Sequence, residues 1–113
     1  MCIIWFNHPR ALEYLLRHGE VYTLRARRKR CPDGHVVVRS RMGVTTRGII
    51  NYIGAVNLND PIERSLLGVF VTKSGFKTVD EWVRAFRELN RNATVAYLYH
   101  VAIERKPLAV PGA

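Results

Sequence analysis

The sequence predicts an α+β domain: a small mixed β-barrel of about six strands with two main helices packed on it. Three observations carry this. Short apolar or alternating runs, the strand pattern, recur along the 113 residues and are joined mostly by turn-forming residues. Only two longer stretches carry apolar residues at helical spacing, one early and one late. The middle of the chain lacks the regular strand–helix alternation of a doubly wound parallel sheet. A chain of this length holds a single core, and an apolar content of 48% is enough to fill it.

The elements follow in order. Residues 2–6 (CIIWF) are apolar throughout, the pattern of a buried strand, which puts Trp5 in the core. Asn7 or His8 can cap a helix, and Pro9 suits its first position because the missing N–H would be unpaired there. Leu12, Leu15 and Leu16 give that helix an apolar face, and Gly19 supplies its left-handed end. Residues 21–30 and 35–41 read as two strands around Cys31-Pro32-Asp33-Gly34. Pro presets φ there, Asp bonds nearby backbone and Gly accepts positive φ, so the pair reads as a hairpin. A longer strand spans about 46–58, with Gly48 and Gly54 marking a bulge or bend.

Asn59-Asp60-Pro61 opens a short helical piece through Leu66, and residues 68–72 (GVFVT) read as a sixth strand before a Ser74-Gly75 turn. Thr78-Val79-Asp80-Glu81 has the capping-box form, and Val79, Trp82, Val83, Phe86 and Leu89 make one apolar stripe. Residues 94–104 alternate, with Val95, Tyr97, Tyr99, Val101 and Ile103 on one core-facing side. The domain is expected to span 1–106, with 107–113 a flexible tail.

Charge sets the expected partner. The chain carries 18 Lys and Arg against 9 Asp and Glu, a net charge of +9. Residues 1–50 hold ten of the basic residues and only three of the acids, so the positive potential concentrates around the expected hairpin. Its members are Arg25, Arg27, Arg28, Lys29, Arg30, Arg39, Arg41 and Arg47. Arginine forks match phosphate oxygens and stack on bases. Charge on an edge strand also blocks aggregation. Here Asp33 alone answers seven basic residues between Arg25 and Arg41, which exceeds that purpose. Tyr22 and Tyr52 are candidates for stacking a base.

Other signals exclude classes. No apolar run approaches the roughly 20 residues of a membrane span. Cys2 and Cys31 are the only cysteines; they can pair, though nothing in the sequence requires it, and they cannot build a four-thiolate zinc site. No phosphate loop, Ser-His-Asp order or H-E-x-x-H motif occurs, and no metal or cofactor is expected. The cytoplasm is the expected compartment. The lack of Gln and the 14 Arg to 4 Lys fit a thermophilic source or a GC-rich genome equally.

The segment Lys73-Ser74-Gly75-Phe76-Lys77-Thr78-Val79-Asp80-Glu81-Trp82, followed by a helix and a Tyr-rich last strand, resembles the ASCH family of the PUA-like superfamily of small β-barrels. The early helix, Gly19 and a strand through Thr23-Leu24-Arg25 fit the same family, and the likeness covers about residues 2–105. It implies RNA binding, often beside modification or translation factors. Some members are ribonucleases or amidohydrolases of acetylated cytidine. Val21 stands where the family usually has a lysine, so the base or nucleophile of the amidohydrolase chemistry is missing. Arg25 fills the family's arginine place if the segment is one residue shorter. The resemblance then implies an anion-binding cleft between the first helix and the barrel. Gly19 would let backbone approach a phosphate there, and Lys73 and Lys77, flanking Ser74-Gly75, would line it.

The expected function is RNA binding through that cleft and the arginine-rich hairpin. The alternative is an RNA-processing enzyme on the same cleft, a ribonuclease or a hydrolase of a modified nucleoside. A third reading is a protein-interaction module whose basic face meets an acidic partner.

Overall fold

The computed structural model describes residues 2–104. Its elements run β1 (Ile3–Trp5), α1 (Pro9–His18), β2 (Glu20–Arg25), β3 (His35–Arg39), β4 (Thr45–Asn57), α2 (Pro61–Leu66), α3 (Val79–Leu89) and β5 (Val95–Ile103). Two 3-10 turns, Leu67–Val69 and Val71–Lys73, follow α2.

The fold is α+β. One mixed five-stranded sheet, in the order β1-β3-β4-β5-β2, curls into a half-barrel. β1 pairs parallel with β3, and all other neighbours are antiparallel. This is not the closed six-stranded barrel the sequence suggested. The missing strand is residues 68–72. Leu67 and Val71 are the buried residues there, four apart, which is a helical interval. Bonds from Phe70 N–H to Leu67 C=O and from Lys73 N–H to Phe70 C=O wind the chain into short turns.

The hairpin is also corrected. The second strand ends at Arg25, and its partner is β5, not β3. Val21, Thr23 and Leu24 are all buried, so both faces of β2 need cover that a two-stranded hairpin cannot give. Residues 26–34 are therefore a connection between β2, at one edge of the sheet, and β3, near the other.

Both helix ends follow local chemistry. The His8 side chain accepts from Arg10 N–H at the start of α1, and Gly19 closes it at φ 80°. Thr78 Oγ1 accepts from Glu81 N–H at the start of α3. The Glu81 carboxylate reaches the Lys77 amide, one residue earlier than a capping box requires. Gly54 sits at a register shift in β4, and Gly48 lies where a Cβ would come within 2.6 Å of the Ala102 carbonyl. Gly54 thus lies at the expected bulge, whereas Gly48 stays in regular register and serves close backbone approach instead.

Register sorts the sheet into two faces. Ile4, Val36, Val38, Ile50, Val101, Val21 and Tyr99 share one and are buried. Leu24, Ala96 and Leu98 point the other way and are also buried, in one cluster with Leu12, Leu15, Leu67, Trp82 and Phe86. The last strand is therefore apolar on both sides over much of its length, not on the one side its alternation suggested. Trp5 departs from expectation too. It lies on the face of β1 opposite Ile4 and is 45% exposed.

Cys2 and Cys31 form a disulfide, with Cα atoms 5.6 Å apart. Among the described residues no helix is long and apolar enough to cross a membrane. The expected tail, 107–113, lies outside the described residues.

Candidate nucleic-acid interface

The 26–34 connection carries the densest charge, and four contacts hold it in place. The Lys29 N–H donates to the Tyr99 hydroxyl, which donates in turn to the Lys29 carbonyl at 3.0 Å. The Arg28 guanidinium lies 4.5 Å above the Tyr52 ring, itself 5.3 Å from Tyr99. Cys31 is tied to Cys2, and the Gly34 carbonyl accepts from Ile50 N–H. The connection thus runs past the tyrosines of β4 and β5 with its charged side chains outward. Arg27, Arg28 and Arg30 are exposed, and Lys29 is half-buried.

Two recesses flank it. A groove of about 880 Å³ is lined by Cys2, Lys29, Arg30, His35, Arg47 and Glu104, among others. A cleft of about 340 Å³ lies between the ends of β1 and β2 and helix α3, with Trp5, Phe6, Trp82 and Phe86 as walls and Arg25 and Arg41 as cations. Arg39 stands over the Trp5 ring at 5.7 Å.

Arg25 is the most constrained cation. Its guanidinium lies 4.6 Å over the Phe6 ring, donates from Nε to Thr23 Oγ1 at 3.2 Å, and donates from Nη1 to the Trp5 carbonyl. A guanidinium has five N–H groups, so three remain without a protein partner among the described residues. Burial lowers its pKa to about 10, which still leaves it cationic at neutral pH.

None of Arg25, Arg27, Arg28, Lys29, Arg30, Arg39, Arg41 and Arg47 forms an ion pair among the described residues. The pairs present lie elsewhere: Arg10–Glu81, Arg17–Glu13, Arg64–Asp80, and Glu20 with Lys73 and His100. Asp33, the acid within the basic stretch, accepts from the His35 amide instead. The basic stretch has no ion pair among the described residues, with Asp33 and Glu104 the carboxylates that share its groove.

The structure does not bring the other expected residues to the Arg25 cleft. Lys73 pairs with Glu20 at the far end of β2, about 16 Å along the strand from Arg25 at ordinary rise. Lys77 is exposed beside the Glu81 cap and does not line the cleft, although its neighbour Phe76 does. Ser74 is fully buried and satisfied, donating to the Val71 carbonyl and accepting from Phe76 N–H. Gly75 has φ 91°, and a Cβ there would lie 2.5 Å from the Arg10 carbonyl. It serves close packing of this turn on α1. Gly19 spends its N–H on Leu15 and its carbonyl on Ile103.

Of the tyrosines, Tyr22 is packed between the rings of Phe70 and His100, whereas Tyr52 is 39% exposed beneath Arg28. Trp5 was missed as a surface aromatic. The apolar run around it hid that β1 is an edge strand with one uncovered face. Comparison with family models, curated proteins and solved structures finds no match.

Proposed function

We propose that this chain is an RNA-binding module of the ASCH and PUA-like kind, working in the cytoplasm on single-stranded or structured RNA. One observation carries the reading. Eight basic residues between Arg25 and Arg47 have no carboxylate partner among the described residues, while four of the nine acids pair elsewhere. Uncompensated arginines repel one another, and a polyanion relieves that repulsion while releasing its own counterions.

The aromatic placement favours RNA over a generic acidic partner. Tyr52 and Trp5 are exposed rings, each beside a guanidinium, from Arg28 and Arg39. Ring and guanidinium planes both stack unpaired bases. The Arg25 cleft adds a fixed cation with free donors beside Trp5. The enzymatic alternative would join Arg25 to Lys73, and the fold sets them at opposite ends of β2.

The test is binding of the purified chain to single-stranded RNA, structured RNA and duplex DNA across a salt series, with a gel for cleavage. RNA-favouring binding that weakens steeply with salt is expected. Changing Arg28, Lys29 and Arg30 together to Ala removes three phosphate partners and lowers the logarithmic salt slope by about 2. An unchanged slope removes the connection from the interface, and no binding at moderate salt ends the RNA reading.

A further inference from the structure

The disulfide falls at a particular place. Cys31 is the last residue of the basic run Arg27-Arg28-Lys29-Arg30-Cys31, and Cys2 adjoins β1 at one edge of the sheet. Cys2 is fixed on its own side, because its carbonyl accepts from Val37 N–H of β3. Cys2 also lines the 880 Å³ groove, whose cations are Lys29, Arg30 and Arg47. One wall of the groove comes from the connection and the other from β3 and β4. The Cys2–Cys31 bond ties the connection to the residue just before β1, which is itself hydrogen-bonded to β3, across 29 residues of sequence.

The other restraints on the basic run are weak one by one. They are the Tyr99 hydroxyl on Lys29 and the Arg28 contact on Tyr52, both upstream of Arg30. Arg30 takes its nearest anchor from Cys31, whereas the turn at Pro32 and Asp33 is also held by the Gly34 carbonyl on Ile50 N–H and by Asp33 on His35 N–H. The 26–34 segment contains no helix and no strand, so no ladder defines the path of its basic run, and its one backbone bond to the sheet among the described residues is at its end, from Ile50 N–H to the Gly34 carbonyl. A segment that must be ordered on binding loses affinity to that ordering, whereas one already ordered does not.

We infer that the Cys2–Cys31 disulfide is a redox control on the polyanion site: oxidised, it assembles the Lys29–Arg30–Arg47 groove for backbone phosphates; reduced, it releases the connection and weakens binding. The inference rests on the RNA reading above and adds its regulation. The step is thiol–disulfide exchange with a dithiol. A dithiol thiolate attacks one protein sulfur, expelling the other as a thiolate and forming a mixed disulfide, and its second thiol then displaces the attacked protein sulfur. Two electrons and two protons pass to the protein, leaving two cysteine thiols and a cyclic disulfide on the reductant. The charge of the site does not change, so the effect is one of order alone.

The experiment compares oxidised protein, dithiothreitol-reduced protein and the Cys2→Ser/Cys31→Ser variant. Each is titrated with a 12-nucleotide single-stranded RNA at fixed salt, and amide hydrogen exchange is followed at residues 27–34. Expected are roughly fivefold weaker binding in both thiol-free and reduced forms, faster exchange confined to 27–34, and recovery of wild type alone on reoxidation. Equal affinity in the two redox states overturns the inference while leaving RNA binding intact. Absence of binding in every form overturns the RNA reading and the inference with it. Loss of the far-ultraviolet dichroism on reduction also overturns it, because the disulfide would then hold the whole fold and not the connection. A Cys31→Ser single variant with unchanged exchange at 27–34 is equally fatal.

Discussion

The guanidinium of Arg25 donates to the main-chain carbonyl of Trp5, joining the last residue of β2 to the last residue of β1. These are the two outermost strands of the sheet, and neither pairs with the other through backbone. A side chain thus spans the seam of the half-barrel where a ladder would complete a barrel. The same guanidinium faces the 340 Å³ cleft, so fold closure and the candidate anion site depend on one residue.

Changing Arg25 to Met keeps an apolar stem over Phe6 and removes both hydrogen bonds. A hydrogen bond to a charged donor contributes about 1.5–3 kcal/mol, offset in part by relief of the buried cation. The expected net loss is about 1 kcal/mol, read as a lower urea midpoint at constant m-value. An unchanged or higher midpoint would mean that packing alone closes the seam.

His8 ties stability to pH. Burial, and secondarily the nearby Arg10 charge, lower its pKa below 6.5. Its neutral Nδ1 accepts from Arg10 N–H as the cap of α1 at 3.2 Å. A folded pKa below the unfolded value gives stability that is full above about 6.5 and lost as pH falls through the folded pKa. Protonation forfeits the acceptor and sets a cation at a helix N-terminus, both unfavourable. Wild type should therefore lose stability as pH falls below about 6.5. His8→Asn, which caps without titrating there, should flatten that decline. A parallel decline in both proteins would assign it to another group.

Gly75 separates packing from binding. Its φ of 91° and the Arg10 carbonyl leave no room for a side chain. Gly75→Ala is expected to cost more than about 1 kcal/mol, against almost nothing for Gly54→Ala, where no atom lies within 4 Å of the added Cβ. RNA affinity of the folded Gly75→Ala protein should match wild type. Weaker affinity at full folding would return this turn to the site.

How far all this was legible depends on the range of the interactions. The helices were readable because their signals are local: Pro9 and Gly19 bracket α1, and Thr78 with the stripe from Val79 to Phe86 marks α3. The β4 bulge was readable from Gly54. Strand partnership was not, since β2 meets β5 some 75 residues later, and the Pro32-Asp33-Gly34 turn looks the same whether or not its flanking strands pair. The basic residues of the candidate site were legible as a cluster. Their division between a groove and a cleft was not, because it follows from β2 and β3 lying at opposite sides of the sheet. Trp5 was misread because a three-residue edge strand has the composition of a buried one.

Tyr52 offers a test of base stacking. Its ring is exposed and carries Arg28 on one face. Stacking of one base contributes about 1–3 kcal/mol, so Tyr52→Ala should weaken single-stranded RNA binding by about 5- to 150-fold. Duplex DNA, whose bases are not available, should be affected much less. Equal losses on both ligands would point to displaced Arg28 and not to stacking.

Tyr99→Phe distinguishes the position of the charges from their number. Tyr99 is buried, and its ring belongs to the core, so the substitution preserves packing. It deletes one oxygen that accepts from Lys29 N–H and donates to Lys29 C=O. Each such bond contributes about 1 kcal/mol net, and the two act on the same residue of the connection. No basic residue is removed, so the net charge of +9 is retained. If affinity came from total charge alone, the variant would bind as wild type does at every salt concentration. If the connection must be held against the sheet, binding should weaken severalfold while the salt slope stays near the wild-type value. The triple alanine variant at Arg28, Lys29 and Arg30 should do the reverse and lower the slope. Measured together, the two variants assign the affinity either to ordered phosphate contacts or to long-range attraction. Wild-type affinity in Tyr99→Phe would remove the ordered connection from the account.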